Sequence, residues 1–435
     1  MPGAANLDFD RAPPLGVVFG CLLPAPWIGS VAGLLLAFGP TRDLPERFAP
    51  LTLALVHALA VGMLLPIMLG ALFQLFPVVG GVPVRASRWI SPFVAPLCAT
   101  AAAALAAGFL GQSTDAFRLA GLVAAPLLGV PALLLLAAGR HIVATNATTR
   151  TLHHIGLSLL IALIAGALMA LMFGLGWSIP LPAVLDIHIG WAVGGWLASL
   201  VAGVAATVLP MFWQTPRPTN RLNRMQPWWL WSVLMAGGVL ELSYNWTGWQ
   251  VLAWAMLAAL ASIGLYAVLK AKRKHDPAWP LWLASTMAWL LAAVLGLYAG
   301  LLPQPWPLAW WIGVLALVGG GVLPINAMLG KIIPFLVWLH LRRLLPPRQR
   351  VPAMQNIIAP SLQYGQAALV LLALFLLLAL PAAPSTLALW AGLTFAVSQA
   401  WLAILLMRAL GKFAHTSWQH RGNLTGDKAG ARPAS

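Results

Sequence analysis

Acidic residues are scarce in this chain, nine Asp and Glu against 25 Lys and Arg, and charge of either sign makes up only 8% of its 435 residues. So little charge cannot clothe a single soluble core when 61% of the residues are hydrophobic and the mean hydropathy is +0.87. Lipid has to cover the remainder. Cysteine is nearly missing too. Cys21 and Cys98 are the two present, and both lie inside apolar runs, which excludes a disulfide framework or a thiolate metal cluster and leaves buried, inert thiols. Short segments of alternating polarity, the mark of a membrane β-barrel, are lacking as well. Nor is there a P-loop, a Gly-rich dinucleotide fingerprint or a His-Glu-x-x-His pattern, and Gly319, Gly320 and Gly321 suit close helix packing in lipid rather than phosphate binding.

What the chain does have is a succession of apolar runs of about the 20 residues needed to cross ~30 Å of hydrocarbon, each a helix by the demand that lipid places on backbone hydrogen bonds. Spans are expected near 15–38, 50–77, 90–111, 117–138, 152–176, 184–211, 228–246, 250–270, 280–301, 308–338, 360–381 and 385–409. The fold class is therefore all-α, a polytopic membrane helix bundle of about 12 transmembrane helices. The first run follows Asp8, Asp10 and Arg11 and is long enough to span, so it reads as a retained helix and not as a cleaved leader. An N-terminal segment 1–14 and a polar, partly disordered tail 410–435 flank a transmembrane domain 15–409, with no separate soluble domain.

Charge tests this count. Loops after even-numbered spans carry Arg85 and Arg88, then Arg140 and Arg150, then Arg217, Arg221 and Arg224, then Lys272, Arg273 and Lys274, then Arg342, Arg343, Arg348 and Arg350. Loops after odd-numbered spans hold Arg42 and Arg47, balanced by Asp43 and Glu46, and Arg118 beside a span. By the positive-inside rule the even ends are cytoplasmic, which implies a multi-pass protein of a bacterial inner membrane with both termini inside. The same topology accounts for the net charge of +16, so the lipid bilayer is the expected partner and nucleic acid is not. Many of the 22 Trp fall at span ends, among them Trp228, Trp229, Trp231, Trp306, Trp310 and Trp311, as interfacial belts require.

A pattern recurs every four spans. Span two reads His57-Ala-Leu-Ala-Val-Gly62, then Gly70, then Ala-Leu-Phe-Gln-Leu-Phe-Pro77; span six reads His188-Ile-Gly-Trp-Ala-Val-Gly194, then Gly203, then Val-Ala-Ala-Thr-Val-Leu-Pro210. Span ten keeps the end alone, Gly330-Lys331-Ile-Ile-Pro334-Phe335. Pro77, Pro210 and Pro334 coincide, and so do Gln74, Thr207 and Lys331 three residues earlier. The repeat implies three pseudo-symmetric groups of four helices, roughly 15–138, 152–270 and 280–409.

On these His-Gly-Gly-Pro runs and the segment Pro210-Met-Phe-Trp-Gln-Thr-Pro-Arg-Pro-Thr-Asn-Arg221, the chain resembles the catalytic subunit of the haem-copper oxidase superfamily, in particular cbb-type oxidases, nitric oxide reductases and NnrS-like membrane proteins. The resemblance implies that His57 matches a low-spin haem ligand and His188 a copper ligand, in different helix clusters, so that they do not share one metal. The cofactors it implies are haem b or copper, with no cofactor as the alternative, and a respiratory or redox partner. The chain also departs from that plan. Positions 312 to 314 of span ten, where a haem ligand would stand, are Ile312, Gly313 and Val314, and span seven has no histidine. A complete oxygen-reducing centre is therefore not expected.

His141, His153, His154, His275, His340, His415 and His420 fall in loops, at span ends or in the tail. His57 and His188 lie within apolar runs, where an ionisable side chain calls for a ligand, a partner or a watery cavity. Two readings stay open: haem or metal binding through a free imidazole lone pair, and hydrogen bonding across helices. Asp186 and Glu241 are candidates to orient an imidazole. Gln74, Thr207 and Lys331 are candidates to line polar cavities on the cytoplasmic side, Lys331 lying about 11 residues, or ~16 Å, before Arg342. Besides a haem-copper oxidase-like protein serving respiration, nitric oxide response or cofactor handling, two other classes suit the sequence: a multi-span permease, and a non-catalytic assembly or scaffold protein.

Overall fold

The structure, a computed structural model, describes residues 8–217, 225–301, 306–346 and 349–430. Arg221, Arg224 and Arg348 of the basic loops, the end of the 210–221 segment, residues 1–7 and residues 431–435 lie outside the described residues. The fold is an all-α bundle with no strand among the described residues. Among the described residues eleven helices are long and apolar enough to cross a membrane: α1 (Leu15–Phe38), α2 (Pro50–Val78), α3 (Ser87–Gly111), α4 (Thr114–Gly139), α5 (Ala147–Leu175), α6 (Leu181–Trp213), α8 (Trp249–Leu269), α9 (Trp279–Gly300), α10 (Leu308–Leu344), α11 (Pro360–Ala382) and α12 (Pro384–His420). Between α6 and α8 stands α7 (Trp228–Tyr244), whose 17 residues fall at the short edge of the spanning range. The α12 helix continues beyond the membrane-length segment to Gly430.

Local chemistry sets the helix starts. Asn146 and Thr149 form a reciprocal capping box at α5, the Ser113 hydroxyl accepts from the Ala116 amide at α4, and Pro50 and Pro360 occupy first-turn positions where no amide is needed. The matched prolines Pro77, Pro210 and Pro334 each stand inside a helix near the end that bears the basic loops.

Four helices contain wide π turns: Ala58–Leu64 in α2, Leu119–Ala124 in α4, Gly190–Ala198 in α6 and Leu315–Val322 in α10. A wide turn shifts the register of the next stretch of helix and loosens backbone hydrogen bonding, and here neighbouring indoles compensate. Trp231 of α7 donates to the Gly195 carbonyl at 3.0 Å, and Trp289 of α9 donates to the Gly320 carbonyl at 3.0 Å. These tryptophans therefore hold the interior together and are not interfacial anchors. Trp289→Phe should leave the Gly320 carbonyl orphaned in a dry interior and lower stability by about 1–3 kcal/mol; an unchanged thermal inactivation midpoint in detergent would count against this role.

The centre of the bundle is α10, of whose most apolar stretch 83% is buried by protein, against 28% for α8. Its π turn packs against those of α2 and α6. Glycine makes this approach feasible: a Cβ on Gly321 would stand 3.1 Å from Leu64 of α2 and 3.2 Å from Leu197 of α6. Around this axis extensive pairings join α4 to α5, α5 to α6, α2 to α3, α8 to α9 and α12 to α1. The last joins the first and last described spans. A Cβ on Gly33 of α1 would lie 2.6 Å from the Ala396 amide nitrogen and one on Gly392 of α12 would lie 2.5 Å from the Gly33 carbonyl, so the two backbones are in direct contact.

One end of the bundle, its basic end, gathers the basic loops. There Arg11 donates to the Gly81 carbonyl at 2.6 Å, Arg150 to the Gln226 carbonyl at 2.9 Å, and the Lys272 amide to the Trp213 carbonyl at 3.1 Å. Arg343 pairs with Asp10 at 3.6 Å, and Lys412 donates to the Asn356 carbonyl. Cys21 and Cys98 are free and buried.

Candidate functional site

His57 is the last residue before the π turn of α2, and His188 lies two residues before the π turn of α6. Each is seven residues from its helix start, Pro50 or Leu181, about 10 Å along the axis and away from the basic end. The His57 Nδ1 is 2.8 Å from the Leu53 carbonyl of its own helix, and the His188 Nδ1 is 2.9 Å from the Ala162 carbonyl of α5. A carbonyl accepts only, so in each neutral ring the hydrogen sits on Nδ1 and the lone pair on Nε2. No partner for either Nε2 exists among the described residues.

The two rings are 6.4 Å apart between centroids and within 16° of parallel. The expectation from the family arrangement, that they sit apart in different helix clusters, is corrected here in their separation: α2 and α6 meet through their π turns on α10, which brings both histidines to one place. Phe109 of α3 backs the His57 ring at 5.3 Å. Gly166 of α5 makes room for the other, since a Cβ there would stand 3.0 Å from His188 Cε1.

Both imidazoles line a cavity of about 520 Å³ between α2, α6 and α10. Its walls are overwhelmingly apolar, with Leu64, Trp196, Leu197 and Trp254 among them. Ile312, Gly313 and Val314 of α10 line it as well, so the third central helix presents only apolar surface at the positions where the resemblance would place a ligand. Polar groups are confined to Arg47, Thr52, Asp186 and Gln250, besides the histidines. Arg47 lies over the Phe48 ring at 4.4 Å, with no carboxylate in ion-pair range among the described residues.

Neither carboxylate touches an imidazole through a hydrogen bond. Asp186 accepts from Gln250 Nε2 at 2.7 Å, and Glu241 accepts from Trp249 Nε1 at 2.8 Å beside Asp186. Trp249 in turn packs where Gly190 and Gly237 leave space, a Cβ on Gly237 falling directly against its ring. The pair thus braces α6, α7 and α8 at the rim of the cavity, with Asp186 on its lining.

Gln74, Thr207 and Lys331 are not brought together and do not line this cavity. Gln74 is buried with its Oε1 unpartnered. Thr207 bonds the Thr148 hydroxyl of α5 at 2.7 Å. Lys331 makes an ion pair with Asp276 of the α8–α9 connection. Of the remaining histidines, His153 bonds the Ile142 carbonyl and His340 the Leu336 and Pro13 carbonyls, all at the basic end. Among the described residues no group of three or more His, Cys, Asp or Glu is placed to hold a metal ion.

Sequence reasoning missed Arg47, Trp249 and Gln250 as neighbours of the site. A Trp-Gln pair opening a span and an Arg beside acidic residues look like ordinary interfacial composition, so no signal distinguished them. No protein-family model matches the chain, and no curated protein matches it.

Proposed function

We propose that this is a haem-copper oxidase-like membrane protein, related in plan to NnrS-like proteins, that binds haem b between His57 and His188 and exchanges electrons with a redox partner in respiration, nitric oxide response or cofactor handling. On this reading it is a multi-pass protein of a bacterial inner membrane, with the basic end cytoplasmic and the histidines in the outer half of the bilayer. The meeting of α2, α6 and α10 through their π turns is consistent with three groups of four helices that have these as inner members.

One observation carries the reading: two near-parallel imidazoles, each with Nδ1 tied to a carbonyl and Nε2 unpartnered, on the wall of one large apolar cavity. Metal–imidazole bonds are about 2.0 Å long, so two rings 6.4 Å apart between centroids are close enough that both would be within reach of one bound group. Copper would satisfy the same lone pairs but leave most of a 520 Å³ cavity unfilled, whereas a space within about 300–1,000 Å³ suits an organic ligand. His57 and His188 would hold the iron, and Arg47 at the mouth would pair with the acid side chains. When bound, the group supplies one-electron transfer. The chain's own contribution is to hold both imidazoles in one tautomer, exclude water with Trp and Leu side chains, and keep other donors out. With two protein ligands and no histidine in α7, the site suits electron transfer and not oxygen reduction.

The test is the optical spectrum and metal content of the full chain purified from haem-sufficient cells. A Soret band with about one iron per chain is expected; a colourless, metal-free protein that still takes up no added haemin overturns the proposal. Gly313 gives a second control, because it lines the cavity and a Cβ there meets nothing within 4 Å. Gly313→Phe should fill the cavity and remove the band while leaving the protein folded, as judged by its size-exclusion profile.

A further inference from the structure

Midway along α10, farther toward the basic end than the histidines, Asn326 is 2% exposed, and neither its Oδ1 nor its Nδ2 has a hydrogen-bond partner. Both atoms of a buried carboxamide left unpaired is unusual, because such a group normally finds protein or an ordered water. A small cavity of about 20 Å³ adjoins it, lined by residues of α9, α10, α11 and α12 and of the segments that lead into α9 and α11. Among its lining residues are Gln363 and Gln366, whose amide nitrogens are already directed at the Ile358 and Ser398 carbonyls at 3.4 Å each, leaving their oxygens as acceptors. The cavity thus has a donor, several acceptors and room for one small molecule, whereas an apolar void of that size stays dry.

Its position relative to Lys331 is informative. Pro277 and Gly330 line the cavity, and their chain neighbours Asp276 and Lys331 form the ion pair, each side chain only about one-fifth exposed (21% and 23%). The pair is therefore next to the cavity lining in the chain on both sides, with Asp276 held in place by the Ala278 amide at 3.0 Å. We propose that this cavity is a water-binding site, in which the Asn326 carboxamide and the Gln363 and Gln366 side chains hold a buried water that exchanges with the basic face past the Lys331–Asp276 pair. This gives the depth of Lys331 a purpose separate from the histidine cavity: its ammonium and the Asp276 carboxylate close a hydrated pocket.

Radiolytic footprinting of the full chain in lipid nanodiscs, in ¹⁸O-labelled water, tests this directly, because side chains beside a bound water take up its oxygen. Leu402 and Leu405 line the pocket, whereas Leu69 and Leu72 of α2 are fully buried away from it. Labelling of the first two should exceed that of the second two by about tenfold or more, and should fall to the level of the second two in Asn326→Leu. Equal labelling of all four leucines overturns the proposal, as does labelling that persists in the variant. Should Asn326→Leu not fold, Gln366→Met provides the same comparison. The melting temperature adds an opposite-signed readout: with a water in place Asn326→Leu lowers it by breaking the network, whereas in a dry pocket the near-isosteric change removes two orphan atoms and raises it.

Discussion

His188→Ala, purified as the wild-type protein is, should lose the Soret band altogether, and His57→Ala should do the same. Both imidazoles line one cavity with their rings 6.4 Å apart, so each variant removes half of the proposed ligand pair. Haem affinity is expected to fall by more than about 100-fold in either, since disturbing only the groups that support a ligand weakens metal sites by about 10–100-fold. Two independent sites would behave differently, each variant keeping part of the absorbance and of the bound iron. The pattern of loss therefore separates a shared site from separate ones. Asp186→Asn is the matched control: its carboxylate bonds Gln250 and no imidazole, so the band should persist. An unchanged spectrum in either histidine variant rejects ligation by that residue.

Gly33→Leu should have the largest effect on the fold. At this position α1 meets α12 backbone to backbone, with a Cβ already within 2.7 Å of the Gly392 carbonyl, and helix backbone cannot give way as a flexible side chain can. Overpacking in a core costs about 1–3 kcal/mol when neighbours can shift, and here the whole α12 helix would have to move. The expected result is loss of the monodisperse size-exclusion peak and of most protein in the membrane fraction. Gly313→Ala, at a glycine with no neighbour within 4 Å of its Cβ, should be tolerated. Wild-type yield and melting behaviour for Gly33→Leu would show that the helices are not held in contact there.

The helices are legible in the sequence because crossing hydrocarbon is a requirement on consecutive residues, and apolar runs and the alternation of basic loops express it directly. Pro77, Pro210 and Pro334 can be aligned for the same reason. Lateral distance is a different kind of quantity. The register change in the π turns that come after His57 and His188 depends on which amide bonds which carbonyl, and the residues Gly62 and Gly194 signal only that a close approach is feasible. Lys331 shows the same division. Its depth can be counted along the helix from Arg342, but its partner, Asp276, lies in another connection 55 residues earlier in the chain, and no periodicity links them.

The seam between α1 and α12 also ties together positions far apart in the chain, Gly33 and Gly392 being 359 residues distant. A contact of such long range carries a large loop-closure cost and forms only once the helices between have taken their places. Closing it is thus a late event in assembly, and a substitution there is expected to act on the last step of folding and to spare the formation of the individual helices.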